Sequence, residues 1–200
     1  PLYSSAASDV YKRQITNCSA SGNDTHGFSG ADGVTISGCS ASSNFGSGIV
    51  VANGGAISSC TARSNAVDGI VGNNFTTISS CSVIGNTGDG IEVLNRCYVF
   101  ANQCGGTINA PVPNTTGIHA GGTGNRIEAN VLTGNARGLD IDSAGNLIIR
   151  NTATGNTINW DISATNRGQF VIAIGGGAAF AGSTGGAPVG STDPWVNFSY

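Results

Sequence analysis

Four glycines, Gly27, Gly48, Gly69 and Gly90, stand twenty-one residues apart, and each precedes an apolar residue: Phe28, Ile49, Ile70 and Ile91. After one longer interval the series resumes as Gly117-Ile118 and Gly138-Leu139, then Asn159-Trp160. A second column runs Ile15, Ile36, Ile57, Ile78, Val99, Ile127 and Ile148, and a third Ala20, Ala41, Ala62, Val83, Cys104, Leu132 and Ala153. Asn23, Asn44, Asn65, Asn86, Asn135 and Asn156 make a fourth. Four columns holding one register over some seven windings restrict the chain to a repeat architecture.

The spacing selects strands over helices. Each repeat offers three short apolar stretches separated by Gly, Asn and Ser, too short for an amphipathic helix. Side chains alternate faces along a strand, so Ile49 and Val51 point the same way. No single winding can bury that face. Stacking windings at about 4.8 Å pairs the backbones in parallel and lines like side chains into one core, and the crossover preference favours a right-handed path. The predicted fold is all-β: a single-stranded right-handed parallel β-helix of about seven coils with a C-terminal cap. Its core is expected at Ile36, Ile57, Ile78, Ile127 and Ile148, with Cys39, Cys60 and Cys81 in a corner column. Asn and Gly are expected to supply left-handed backbone at the corners.

The repeats occupy residues 15–165, with an insertion at 105–116 in the longer coil. Residues 1–14, PLYSSAASDVYKRQ, lack the pattern and resemble a translated adaptor scar. They are set aside as a non-native leader, the native N-terminus being expected to be missing. Residues 166–200 leave the register and read as a cap: the run 170–174 as a further strand, with Trp195, Phe198 and Tyr200 over the end of the core.

A chain with 32 Gly and 10% charged residues resembles a disordered linker in composition, but the regular Ile and Val supply a core. The net charge of −3 becomes −4 when Asp9, Lys12 and Arg13 are set aside (one acid and two bases). An acidic body with six Arg and no Lys is a poor partner for nucleic acid or anionic lipid. No apolar run approaches the ~20 residues of a membrane helix.

The stretches GIHAGGTGNRIEANVLTGN (117–135) and GLDIDSAGNLIIRNTATGN (138–156) resemble consecutive repeats of the right-handed parallel β-helix, pectin-lyase-like superfamily. They place Asn102, Asn130 and Asn151 in a stacked-Asn corner. The resemblance spans roughly residues 15–165 and implies the fold without a substrate. The superfamily contains pectin and alginate lyases, polygalacturonases, epimerases, phage tailspikes and many secreted or envelope proteins. It therefore implies a secreted or envelope location and a polysaccharide or cell-surface glycan as partner.

Chemistry has one obvious place. Outward residues of the first strand column read Ser29, Val50, Val71, Glu92, His119, Asp140 and Asp161, with Asp142 on the same face. Asp68 and Asp89 stack just before the strand, and Arg137 follows two coils on. Carboxylates one coil apart would sit near 5 Å and two coils apart near 9–10 Å, bracketing the separations of retaining and inverting glycosidases. Glu92, His119, Asp140 and Asp161 are the candidate catalytic groups, with Arg137 as base or carboxylate clamp. Asp140, Asp142 and Asp161 are candidate Ca²⁺ ligands. Against this, outward charges on a solenoid keep it soluble and block lateral pairing. The Asn-Thr-Asp, Asp-Asp, Gly-His-Gly and Arg-Ile-Lys motifs of polygalacturonases are not matched by Gly117-Ile118-His119 or Leu139-Asp140-Ile141-Asp142. A pectate lyase would offer more basic residues.

Cys18, Cys39, Cys60 and Cys81 share the corner later held by Asn102, Asn130 and Asn151. They read as buried thiols acting as small apolar residues. Neighbours also fall within the Cα range of a disulfide, whereas one face of a flat column rarely surrounds an ion tetrahedrally. Cys97 and Cys104 form a second candidate pair. The leading expectation is a glycan-binding or structural β-helix module. The alternatives are a polysaccharide lyase or hydrolase using the ionisable column, and a tailspike- or adhesin-like stalk, to which outward Val50 and Val71 point.

Overall fold

The structure, a computed structural model, describes residues 13–106, 115–168, 170–172, 180–182 and 196–199. Each coil visits three sheets in turn. The first coil contributes Gln14–Thr16 to sheet A, Ser19–Ser21 to sheet B and Phe28–Gly30 to sheet C. Later coils repeat the path, giving parallel sheets of eight, nine and eight strands among the described residues. The winding is right-handed, with about seven coils of some 21 residues.

The columns align as the repeat requires. Ile36 pairs with Ile57 and Ile57 with Ile78. Val99 then pairs with Ile127 across a longer coil, and the ladders of sheets B and C also continue across it. Of that coil's insertion, 107–114 lie outside the described residues. Ile36, Ile57, Ile78, Ile127 and Ile148 are fully buried, as are Leu139 and Trp160. Burying one such side chain stabilises by about 1.5–3 kcal/mol, so the core is a sum of equal layers. Gln14 already pairs with Thr35, so the first strand takes in the last residue of the segment set aside.

Stacked polar side chains close each corner. Between sheets A and B, the backbone and side-chain N–H groups of Asn102 both donate to Asn130 Oδ1, at 3.0 Å each. Asn130 does the same to Asn151, and Asn151 to Asn197. Where the column holds cysteine, sulfur takes the acceptor's place: the Cys18 and Cys39 N–H groups donate to the next Sγ at 3.4 Å. All six cysteines are free thiols, and burial pushes Cys39, Cys97 and Cys104 up, keeping them protonated at neutral pH.

The Asn23–Asn44–Asn65–Asn86 series forms a second ladder between sheets B and C, and Asn135–Asn156 continues it. A third, between sheets C and A, links Cys97 to Asn125, Asn146 and Asn166. These buried amides are satisfied by one another, as buried polar groups must be.

Corner glycines such as Gly38, Gly85, Gly134 and Gly155 supply left-handed backbone as expected, but the Asn and Gly of the repeat columns do not. Among the described residues the left-handed non-glycine positions are mainly Ser, Ala and Arg, and Asn17 is the one Asn. The Gly27–Gly138 column is required by close approach. A Cβ on Gly69 would meet Val83 Cγ1 at 2.3 Å, the Gly90 carbonyl oxygen at 2.6 Å and Asn86 Nδ2 at 2.7 Å. Glycine here lets the Asn ladder and the next coil's carbonyl press against the chain.

The last turn is assembled out of sequence order. Arg167–Gly168 extends sheet A, Phe180–Gly182 extends sheet C, and Asn197–Ser199 extends sheet B. Phe170–Ile172, the expected extra strand, pairs one layer further out, on Asn197–Ser199. Val196 and Asn197 are buried, while Trp195 and Tyr200 lie outside the described residues.

Candidate functional site

Sheet C carries the ionisable row because its strands alternate strictly. Ile91, Ile118 and Leu139 point in, so Glu92, His119 and Asp140 point out, and the pairing of Glu92 with His119, His119 with Asp140 and Asp140 with Asp161 sets them in one line. His119 is the hub. Its Nδ1 lies 3.0 Å from Asp89 Oδ2 and its Nε2 3.1 Å from Asp142 Oδ2. Beside it, Arg137 Nε donates to Asp161 Oδ2 at 3.0 Å, with Nη1 3.7 Å from Asp140 Oδ2. Asp89 is in turn tied down, its backbone N–H donating to Asp68 Oδ1 at 2.8 Å.

The electrostatics follow from these contacts. The hydrogen bond to Asp89 raises His119 to about 9 against the opposing effect of burial, and Asp142 adds to the rise. At neutral pH the ring is therefore an imidazolium whose two N–H groups donate to two carboxylates. Glu92 is pushed above the usual carboxylate range by burial, then by repulsion from Asp68. Burial raises Asp140 too, with Asp161 adding to it and Arg137 opposing. The row thus holds a fixed cation with a carboxyl of raised pKa on either side.

The candidate Ca²⁺ set divides. Asp140 and Asp142 converge with His119, their ligating atoms within 4.8 Å of one another, whereas Asp161 is held by Arg137. Ca²⁺ takes six to eight oxygens, and this cluster presents a protonated nitrogen instead. Sequence reasoning placed Asp89 on the face without giving it a role; the fold makes it the main partner of His119. The twenty-one-residue step from Asp68 to Asp89 was the available signal.

The sequence profile of the right-handed β-helix region family matches residues 3–104. The chain belongs to that family. No curated protein matches it. Among solved structures, this β-helix protein is similar to the pectate lyase Pel9A, with 18% identity and a TM-score of 0.53, over 76% of this chain and 50% of that one. The A-module of the mannuronan C-5 epimerase AlgE4 from Azotobacter vinelandii is 16% identical with a TM-score of 0.47, over 77% of this chain and 54% of the module. The chain spans about half the length of each, and the likeness to Pel9A is one of fold.

The β-helix protein carries a second polar cluster, on the outer face of sheet A, which its sequence columns did not single out. Glu128 is buried and accepts from Arg126 Nε at 2.7 Å, Tyr98 Oη at 3.0 Å and Arg150 Nη1 at 3.1 Å. The Tyr98 and Phe100 rings stack at 4.4 Å beside it. Its carboxyl is held below the usual range, chiefly by Arg126. With its acceptor sites taken, Glu128 acts as a clamp across coils.

Proposed function

We propose that this protein binds a polysaccharide along the outward face of sheet C, across Glu92, His119, Asp140 and Asp161. The observation that carries the reading is the His119 hub. Asp89, His119 and Asp142 are locked together beside the Arg137–Asp161 pair, so one outward, half-buried row holds its polar groups in fixed positions. Pre-organised polar groups suit a hydroxyl-rich chain, because little ordering remains to be done on binding. Carboxylates outnumber bases on this face, which favours a neutral glycan; a uronate would depend on Arg137 as its clamp. A secreted or cell-envelope setting is where such a ligand is met.

A hydrolase is the second reading, favoured by one observation: Glu92 and Asp140 both retain protons more strongly than usual, on either side of His119. Two coils separate them by about 9–10 Å, at the wide end of the inverting range. Glu92 would protonate the leaving oxygen and Asp140 would activate water, with the His119 cation holding the sugar between them.

Titration of the full chain with a panel of neutral and acidic polysaccharides, with Ca²⁺ and with chelator, tests both readings. Binding of at least one glycan is expected, weakened at least about tenfold by His119→Ala and by Asp140→Ala and unchanged by chelator. Absence of binding across the panel refutes the proposal. Reducing-end release that disappears in Glu92→Gln and Asp140→Asn would establish the hydrolase.

A further inference from the structure

Cys18, Cys39, Cys60 and Cys81 occupy one corner position in four successive coils, and their thiols point alike. Each Sγ lies 3.2–3.3 Å from the carbonyl oxygen two residues before it, on Thr16, Ser37, Ser58 and Ser79. Cys39 and Cys60 repeat a further contact, at 3.6 Å, to the Ile15 and Ile36 carbonyl oxygens, and Cys81 makes it more loosely, at 4.0 Å, to Ile57. Side chains that repeat their contacts are related by the coil translation alone. Successive sulfurs therefore stand about one strand spacing apart, roughly 4.8 Å, those of Cys39 and Cys60 leaning toward the preceding coil, whose Cys N–H groups donate to them.

That spacing decides among the chemistries open to stacked thiols. A disulfide needs sulfurs about 2.05 Å apart, so two neighbours would have to close by nearly 3 Å and abandon their shared rotamer. A tetrahedral ion needs four ligands around it, and a single column offers two. A linear, two-coordinate ion meets neither obstacle. Two metal–sulfur bonds of roughly 2.3 Å, one to a thiolate and one to a thiol, span about 4.6 Å, within a few tenths of an ångström of the coil spacing.

We infer that Cys60 and Cys81 form a binding site for a soft two-coordinate d¹⁰ cation of the Ag⁺ class, held between sulfurs one coil apart. Thiolate softness selects such ions over Ca²⁺ or Mg²⁺. Of this pair, Cys81 lines a surface groove of about 550 Å³ together with Ser80, Ser82, Asn102 and Gln103. Binding replaces one thiol proton with one monovalent ion. The bridge, one thiolate and one thiol, then carries no net charge, as a buried corner requires.

The test is titration of the reduced full-length chain with Ag⁺ in the absence of oxygen, read by native mass spectrometry after gel filtration. One retained ion per chain is expected. Cys60→Ser and Cys81→Asn should each weaken it at least about a hundredfold. Cys104→Ser, a buried thiol outside the column, should leave it unchanged. Cys81→Asn keeps the test decisive because Asn in this column continues the Asn102–Asn130–Asn151 ladder, and circular dichroism verifies its fold. Retention of the ion by Cys81→Asn, or its loss in Cys104→Ser, overturns the assignment.

Discussion

At the residue scale the strongest statement concerns His119. Its folded-state pKa of about 9 lies above the ordinary value of about 6.5. The bridge to Asp89 and Asp142 therefore contributes stability that is fully present below about pH 6.5 and lost as pH rises through about 9. An NMR titration of the imidazole should show the raised midpoint, and Asp89→Asn should bring it back toward 6.5; an unchanged midpoint in that variant would refute the hub. Glu128 has the opposite sign. Its lowered pKa means that the clamp stabilises above the ordinary glutamate value and is lost as pH falls through the folded one. Glu128→Gln should cost about 1–2 kcal/mol at neutral pH, discounted for its half-exposed arginine partners, and almost nothing in acid, as urea melts at the two pH values would show. The row of Glu92, His119, Asp140 and Asp161 was legible in the sequence because strand alternation and the repeat count put each residue on a known face. The partners Asp89 and Asp142 sit one step off that column, and which of them a long side chain reaches is a matter of rotamer and packing.

The coil is the element that matters, and its corners carry most of its specificity. Asn130 joins two coils by accepting from Asn102 and donating to Asn151 and to the Val99 carbonyl oxygen. Asn130→Ala leaves several buried groups unpaired and should cost at least about 2 kcal/mol, measured as a shift in the urea midpoint. The glycine column gives a sharper contrast. Gly69→Ala drives a Cβ into backbone and core, and should cost about 1–3 kcal/mol or prevent folding. Gly121→Ala, where a Cβ meets nothing within 4 Å, should stay within about 0.5 kcal/mol of the parent. Equal effects at the two sites would refute the close-packing account. The twenty-one-residue glycine step is plain in the sequence, but its cause is not. Sequence suggests left-handed turns, whereas the requirement comes from an oxygen and an amide belonging to the next coil, which periodicity cannot locate. The third ladder, Asn125–Asn146–Asn166, leaves no long column in the sequence because it begins only in the fifth coil, where Cys97 gives way to Asn.

Across the whole molecule, stability is a sum over layers and their interfaces, which makes the ends decisive. The next-to-last layer of sheet B is supplied by Asn197–Ser199, returning from beyond Phe170–Ile172 to insert between it and Thr152–Thr154. Asn197 also ends the Asn ladder by accepting both donors of Asn151. Asn197→Ala should lower the melting midpoint and, by loosening that strand, expose a parallel edge that promotes self-association on gel filtration; a variant as stable and monodisperse as the parent would refute this closure. The sequence by itself determined the winding, the identity of the three sheets and the layers of the core. Each of these follows from a local period, and a residue one repeat away is bound to be a spatial neighbour. Tertiary structure alone decided the strand order of the last turn, the bracketing of His119 by Asp89 and Asp142, and the pairing of Arg137 with Asp161. Those contacts join residues whose separation is no simple multiple of the repeat, so they depend on loop paths and side-chain reach rather than on register.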